Sequence, residues 1–373
     1  MEFSKSTDVF IVGGGPAGLA AAIAARRRGL QATVADRDYP PVEKACGEGI
    51  MPDGLAAARA LGIQLEGQGQ PFQGIRFYHG GDHAEAGFSQ GPGFGMRRTA
   101  LHRILLDVAE RAGVRLLWGI GVTGIDGCRV HTSAGTVEAA WVVGADGGNS
   151  RVRAWAGLDR DRWPLRPPRL RYGFRRHYPV APWSRFMEVH WGDGCQLYIT
   201  PTTPRELCVV VISSDSRLRL EDALPRFPEV AARLGAVSPV TPERGGISAT
   251  RRLSRVTRGR VALIGDASGS VDAITGEGLC MLFQQAQALG DALAAGDLAS
   301  YERRHCVIRK RPARMADLML LLDRRARLRR RTLQALAAHP PLFGRLLSMH
   351  LEEHSIFSDF FNTFSLGWRL LTL

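Results

Sequence analysis

The chain opens on a run of apolar, β-branched positions, Asp8 to Val12, then three glycines, Gly13 to Gly15, and an alanine-rich stretch of strong helix formers reaching Arg28. A second apolar run, Gln31 to Ala35, ends at Asp36. Strand, glycine turn, helix and strand make a βαβ unit, and runs without polar alternation predict parallel strands buried on both faces. Leu101, Leu105, Val108 and Ala112 share one helical face within Thr99 to Ala112. Val114 to Trp118, the alternating stretch Val122 to Val137, and Trp141 to Val143 continue the sheet up to the turn Gly144 to Gly148. In two blocks, Phe72 to Phe94 and about Leu170 to Val211, the period shifts to two, which predicts antiparallel strands of one inserted sheet. Arg260 to Ile264 and Gly276 to Leu293 return to buried strand and helix. From Leu298 the pattern is helical to the end, interrupted at Pro312 and at Pro340-Pro341. The expected architecture is α/β. A doubly wound domain takes residues 1–71, 96–157 and 256–300, an antiparallel β-sheet domain 72–95 and 158–255, and a helical C-terminal extension 301–373.

With 373 residues, 45% hydrophobic and 23% charged, the composition is that of a globular protein of two or three domains, which excludes a single small module and wholesale disorder. The net charge is +13, yet only Lys5, Lys44 and Lys310 are lysines, an arginine skew of the kind GC-rich bacterial codons give. Twelve basic residues crowd between Arg303 and Arg331 against Asp317 and Asp323, interleaved with Met315, Leu318, Met319, Leu322 and Leu328. This reads first as a packed amphipathic helix with a solvated face, and second as a peripheral contact with an anionic membrane. No nucleic-acid-binding motif accompanies the charge, so nucleic acid is not an expected partner. Six scattered cysteines form neither a CxxC pair nor a Cys/His cluster at zinc spacing, which predicts a reduced protein without a structural metal. The first residues lack a signal-peptide pattern, and no apolar run approaches the roughly 20 residues that span a bilayer. The expected location is the cytoplasm, with any membrane contact peripheral, at the inner face.

Gly13, Gly15, Pro16, Ala17 and Gly18 satisfy GxGxxG between a strand and a helix, and Asp36 closes the next strand at the separation a ribose-binding acid takes, about 20 residues on. Gly13 permits the tight turn, Gly15 lets a pyrophosphate approach the backbone, Gly18 lets the helix pack on the strand, and the helix N-terminus faces the negative charge. This is a Rossmann-like dinucleotide fingerprint that leaves FAD and NAD both open.

Two further segments, Val143 to Arg153 (VGADGGNSRVR) and Arg260 to Ala267 (RVALIGDA), resemble the DG and GD motifs of the FAD-dependent aromatic hydroxylases and the related geranylgeranyl reductases. The resemblance implies noncovalent FAD. It assigns Asp266 of the Gly265-Asp266 pair to a ribityl hydroxyl, places the helix start at Gly276, Glu277 and Gly278 at the flavin ring, and brings Asp146 of the DG motif and Arg98, in preference to Arg97, to the cofactor. Asp272, further along the same loop, is expected to matter less than Asp266 to FAD retention. Arg37 either lies over adenine or is exposed. Lys44 to Gly49 (KACGEG) resembles the reductase loop that approaches the flavin, with Gly47 admitting backbone and Cys46 either touching substrate or the isoalloxazine or simply buried.

The resemblance has limits. Gly269 stands where many hydroxylases have histidine, and Gln196 to Pro201 (QLYITP) matches neither the halogenase nor the reductase signature of the inserted sheet. Tyr198, with Thr200 on the same strand face, is the expected substrate neighbour, and no nucleophile or metal is required of the protein. With a single complete GxGxxG, NADH or NADPH is expected only as a transient reductant. The implied activity is hydroxylation of an apolar or aromatic small molecule. C=C reduction of an isoprenoid or other lipid is the alternative, and halogenation or non-enzymatic redox sensing stand behind both. Phe357, Phe360, Phe361, Phe364, Trp368 and Leu371 fall at helical spacing and either pack the chain end onto the core or form a lid.

Overall fold

The computed structural model describes residues 6–159 and 170–351. The aromatic stripe from Phe357 to Leu371 lies outside them. Val261–Leu263, Gly135–Gly144, Ser6–Val12, Ala32–Asp36 and Arg115–Trp118 lie side by side in that order and run parallel. Val9, Phe10 and Ile11 are fully buried, as an apolar run without alternation requires. The fingerprint helix, Pro16–Arg27, packs on the long helix Gly278–Ala295. Their contact is close because Gly290 meets Ala24, where a Cβ would stand 2.9 Å from the alanine Cβ.

The second sheet has seven strands in the order Arg244–Ser248, Arg171–Tyr178, Glu206–Ser213, Cys195–Thr203, Met187–Trp191, Gly74–His79 and Asp82–Gly87. Most of the two blocks of period two joins one sheet, but the ends of the first block do not: Gln70–Phe72 and Gly93–Gly95 form a separate small sheet with Gly49–Ile50. The larger sheet is antiparallel except at the junction of the blocks, where Met187–Trp191 runs parallel to Gly74–His79, with Met187 opposite Ile75. Periodicity reveals strands but not the direction in which distant ones meet. Cys195–Thr203 and Glu206–Ser213 are also buried on both faces rather than one. One face turns toward the nucleotide domain, and Leu220, Val230 and Leu234 of two short helices cover the other.

The last helices run Leu298–Arg324, Ala326–Ala338 and Pro340–Leu351. The first passes through Pro312 instead of stopping there and breaks at Arg325, where φ is −123° and ψ 80°. A proline inside a helix removes one hydrogen bond and costs about 3 kcal/mol. Here Pro312 is itself buried, and Ala316, Met319 and Leu322 seat the following turns against Val271 and Ile274. Among the described residues no helix is long and apolar enough to cross a membrane.

Candidate active site

A cavity of about 790 Å³ opens between the two sheets, toward the upper end of the roughly 300–1,000 Å³ usual for small-molecule sites. Gly13, Gly15, Pro16 and Ala17 form one end of its wall. Gly18 does not reach it: a Cβ there would stand 1.8 Å from the Gly13 carbonyl oxygen, so this residue serves the packing of helix on strand. A Cβ on Gly15 would meet nothing within 4 Å, so the backbone is bare toward the cavity. No side chain caps the helix that starts at Pro16. Asp36 lines the same end, its carboxylate accepting from Gly14 N–H at 2.6 Å and Asp38 N–H at 2.9 Å. Arg37 is at the rim, exposed and 3.8 Å from Asp38.

Farther along, Asp266 faces the cavity half exposed and accepts from Lys44 Nζ at 2.8 Å. Gly265 has a φ of +61°, and its N–H donates to Gln285 of the long helix at 2.9 Å. Gly276, in the left-handed region at φ +70°, leads through Glu277 into that helix, whose N-terminus has no side-chain cap and opens on the cavity with Gly278. Asp146 also lines the wall, but its carboxylate is engaged locally, accepting from Ser150 Oγ and the N–H groups of Arg151 and Val152. The arginine pair separates. Arg98 lines the cavity with its buried Nε unpartnered, whereas Arg97 turns away to Glu206, donating from Nε at 2.8 Å.

Several partners were not legible in the motifs. Arg153, 2% exposed, ties the two later motifs together by donating to Gly148 O at 2.9 Å and Ala267 O at 3.2 Å. His102 meets the fingerprint from helix Arg98–Arg111, its Nε2 2.8 Å from Gly14 O. Burial pulls its pKa down, which keeps the ring neutral and Nε2–H the donor.

Cys46 and Gly47 reach the cavity on a loop held from behind by Glu48. Glu48 takes a φ of +61° that non-glycine residues rarely adopt, and it is 1% exposed. Its carboxylate accepts from Arg98 N–H at 3.1 Å and His177 Nε2 at 2.6 Å, and lies 3.3 Å from Arg175 Nη1. Arg175 also donates to His177 Nδ1 at 2.9 Å and to Glu43 at 2.8 Å. Three chain segments are thereby clasped behind one wall. Glu48, His177 and Cys208 place donor atoms within 4.8 Å of one another, the spacing of a metal site. The guanidinium already compensates the carboxylate, and burial pushes the Cys208 thiol well up, away from the thiolate a metal needs. The geometry is that of a clasp.

On the sheet side Met187, Tyr198, Thr200, Val210 and Ile212 form the wall. Tyr198 and Thr200 face the cavity, while Gln196, at the next alternate position of the same strand, is drawn into a hydrogen-bonded chain with Arg171 and Asp323. Tyr198 is braced as well as placed, its hydroxyl donating to Ile274 O at 2.9 Å. Asp272 is held inside the protein. It is 2% exposed and accepts from Arg171 Nη1 and from Ile274 N–H, each at 3.0 Å. Asp272→Ala is therefore expected to destabilise the fold by about 2 kcal/mol through an uncompensated buried guanidinium, and Asp266→Ala to leave stability nearly unchanged while weakening FAD about tenfold or more. Urea unfolding and FAD titration of both variants check the contrast, and equal FAD affinity for wild type and the Asp266 variant would contradict it.

Two uncapped helix N-termini, a bare glycine backbone and an arginine with an unpartnered Nε all open on one cavity, a donor set that fits a dinucleotide with a phosphate-bearing end and a ring-bearing end. Residues 6–163 match the family described as FAD binding domain. The chain is an FAD-dependent oxidoreductase. This flavoprotein is 28% identical over 329 residues to a menaquinone reductase of Mycobacterium tuberculosis, covering 80% of this chain and 79% of the other. It is 27% identical over 365 residues to an FAD-dependent urate hydroxylase of Klebsiella oxytoca, covering 84% and 88%. The p-nitrophenol 4-monooxygenase of Pseudomonas putida shares the fold with a TM-score of 0.73 at 19% identity, over 86% of this chain and 90% of that one. The resemblance drawn from the three motifs is borne out.

Proposed function

We propose that the flavoprotein is an NAD(P)H-dependent monooxygenase that hydroxylates a neutral, apolar small molecule held between the flavin ring and the inserted sheet. The carrying observation is a segregation of charge around the cavity. Asp36, Lys44, Arg98, Asp266 and Glu277 line it from the nucleotide domain and its loops, while the sheet contributes Met187, Tyr198, Thr200, Val210 and Ile212 and no charged side chain. A charged substrate would find no counter-ion on that wall, and burying an unpaired charge is costly. When bound, FAD supplies the hydride acceptance and oxygen chemistry. The protein's part is to hold and shield. Gly15 and the helix behind it would face the pyrophosphate, Asp36 a ribose hydroxyl and Asp266 the ribityl chain. The helix start at Gly278 would set positive potential beside the ring. Tyr198, its proton given to Ile274 O, offers its ring as an apolar contact.

C=C reduction of an isoprenoid is the second reading, supported by the Cys46–Gly47 loop at the cavity and by the menaquinone reductase relatives. Flavin reduced anaerobically with NADPH separates the two. Menaquinone recovered with one isoprenoid C=C saturated, without oxygen, indicates the reductase, whereas incorporation of labelled oxygen into a long-chain alkylphenol indicates the monooxygenase. A reduced flavin that does neither would sink both.

A further inference from the structure

The arginine-rich helix has a buried side and a bare side. Ala316, Met319 and Leu322 pack on Val271 and Ile274, next to the loop that lines the cavity. Along the opposite ridge, Lys310, Arg314, Leu318, Leu321 and Arg324 follow one another at single-turn spacing, and Arg325 follows at the helix end, all exposed. Past the break at Arg325 the next helix carries exposed Arg327, Arg330 and Arg331. The ridge's one exposed acid, Asp317, is paired with Arg252 at 2.9 Å. At its centre are apolar side chains in water, Leu318 at 42% and Leu321 at 46% exposure, with Val307 at 62% about three turns before Leu318.

We infer that this ridge docks the protein on an anionic lipid bilayer. The chemistry selects that partner. Guanidiniums flanking the two leucines pair with lipid phosphates while the leucines enter the acyl boundary, which is how an interfacial helix divides its polar and apolar side chains. A nucleic acid would use the cations but has no use for exposed leucines at the centre of the contact, and the ridge carries no aromatic platform for bases. The inference rests on this exposed ridge and not on the reaction proposed above, so either can fail alone. If both hold, a bilayer against the ridge lies about one helix diameter, roughly 10 Å, from the cavity wall, a short route for an apolar substrate.

The test uses the full chain with FAD bound, sedimented with vesicles of phosphatidylcholine or of phosphatidylcholine mixed with phosphatidylglycerol at about 0.1 M salt, where a Debye length is about 10 Å. Binding to the anionic vesicles alone is expected. Arg314→Glu/Arg324→Glu/Arg325→Glu should weaken it at least about tenfold. Leu318→Ser/Leu321→Ser, which leaves the charge untouched, should weaken it severalfold. Both variants should keep wild-type FAD content and melting temperature, since none of these side chains is buried. Failure of the wild type to bind anionic vesicles would overturn the inference. So would a leucine variant that binds as tightly as wild type, or duplex DNA that displaces the vesicles and binds both forms equally, which would mark a surface for nucleic acid.

Discussion

Glu48→Ala should be among the most destabilising single substitutions in the chain, lowering unfolding stability by about 3–5 kcal/mol, the usual range for removing one partner of a buried ion pair. Arg175, 1% exposed, would keep only Glu43 as a charged partner beside His177 Nδ1, and Arg98 N–H and His177 Nε2 would lose their acceptor. Because the loop it restrains carries Cys46 and Gly47 into the cavity, FAD affinity should fall with stability. Glu48→Gln, which keeps the shape and loses the charge, should lie between the two. Urea unfolding monitored by tryptophan fluorescence, with FAD titration under native conditions, measures both, and an alanine variant within about 0.5 kcal/mol of wild type would show the clasp to be idle. The clasp is also sensitive to acid. Burial raises the Glu43 pKa, but the guanidiniums of Arg175 and Arg244 more than offset this, so its folded value lies below the ordinary 4.5. Its contribution is therefore complete above that value and is lost as the pH falls through the folded pKa.

The second large effect separates two glycines of one motif. Gly18→Ala places a Cβ 1.8 Å from the Gly13 carbonyl oxygen and 3.0 Å from its carbon, both backbone atoms that cannot swing aside. The fingerprint helix must then move off the strand, at about 1–3 kcal/mol or more, and FAD binding should be lost with it. Gly15→Ala is the counterpart. Its φ of −70° and ψ of 177° suit any residue, and its Cβ would meet no protein atom within 4 Å, so stability should be unchanged. That empty space is where a pyrophosphate is expected, and FAD affinity should fall at least about tenfold, or ~1.4 kcal/mol. If Gly15→Ala binds FAD as wild type does, the phosphate is elsewhere.

These residues also show where sequence reading succeeds. The places of Gly13, Gly15 and Asp36 at the cavity and of Gly18 at the helix–strand contact were legible because they follow from local geometry, a tight turn and a fixed separation along the chain. The Arg97/Arg98 choice followed from resemblance, and the structure parts the two as expected. Glu48 was not legible as a clasp, since His177 and Arg175 come from a strand far away in the chain, and nothing in a hydrophobic period encodes which buried charge meets which. The buried pair of Asp272 with Arg171 was not legible for the same reason, Arg171 lying on a strand of the inserted sheet far away in the chain. The passage of the helix through Pro312 was hidden because local propensity argues for a stop, while the packing of the following turns decides otherwise.

The parallel join between Gly74–His79 and Met187–Trp191 bears on how the chain acquires its shape during synthesis. The hairpin of Gly74–His79 with Asp82–Gly87 is made early, and the inner edge of its first strand stays bare until the rest of its sheet has been translated. In the interval the chain lays down helix Arg98–Arg111 and most of the nucleotide sheet, which itself waits for Val261–Leu263 before it is complete. Neither sheet can close from a contiguous stretch of polypeptide. Assembly depends on pairings of high contact order, the condition under which folding slows and an open strand edge is most exposed to wrong partners or to a chaperone.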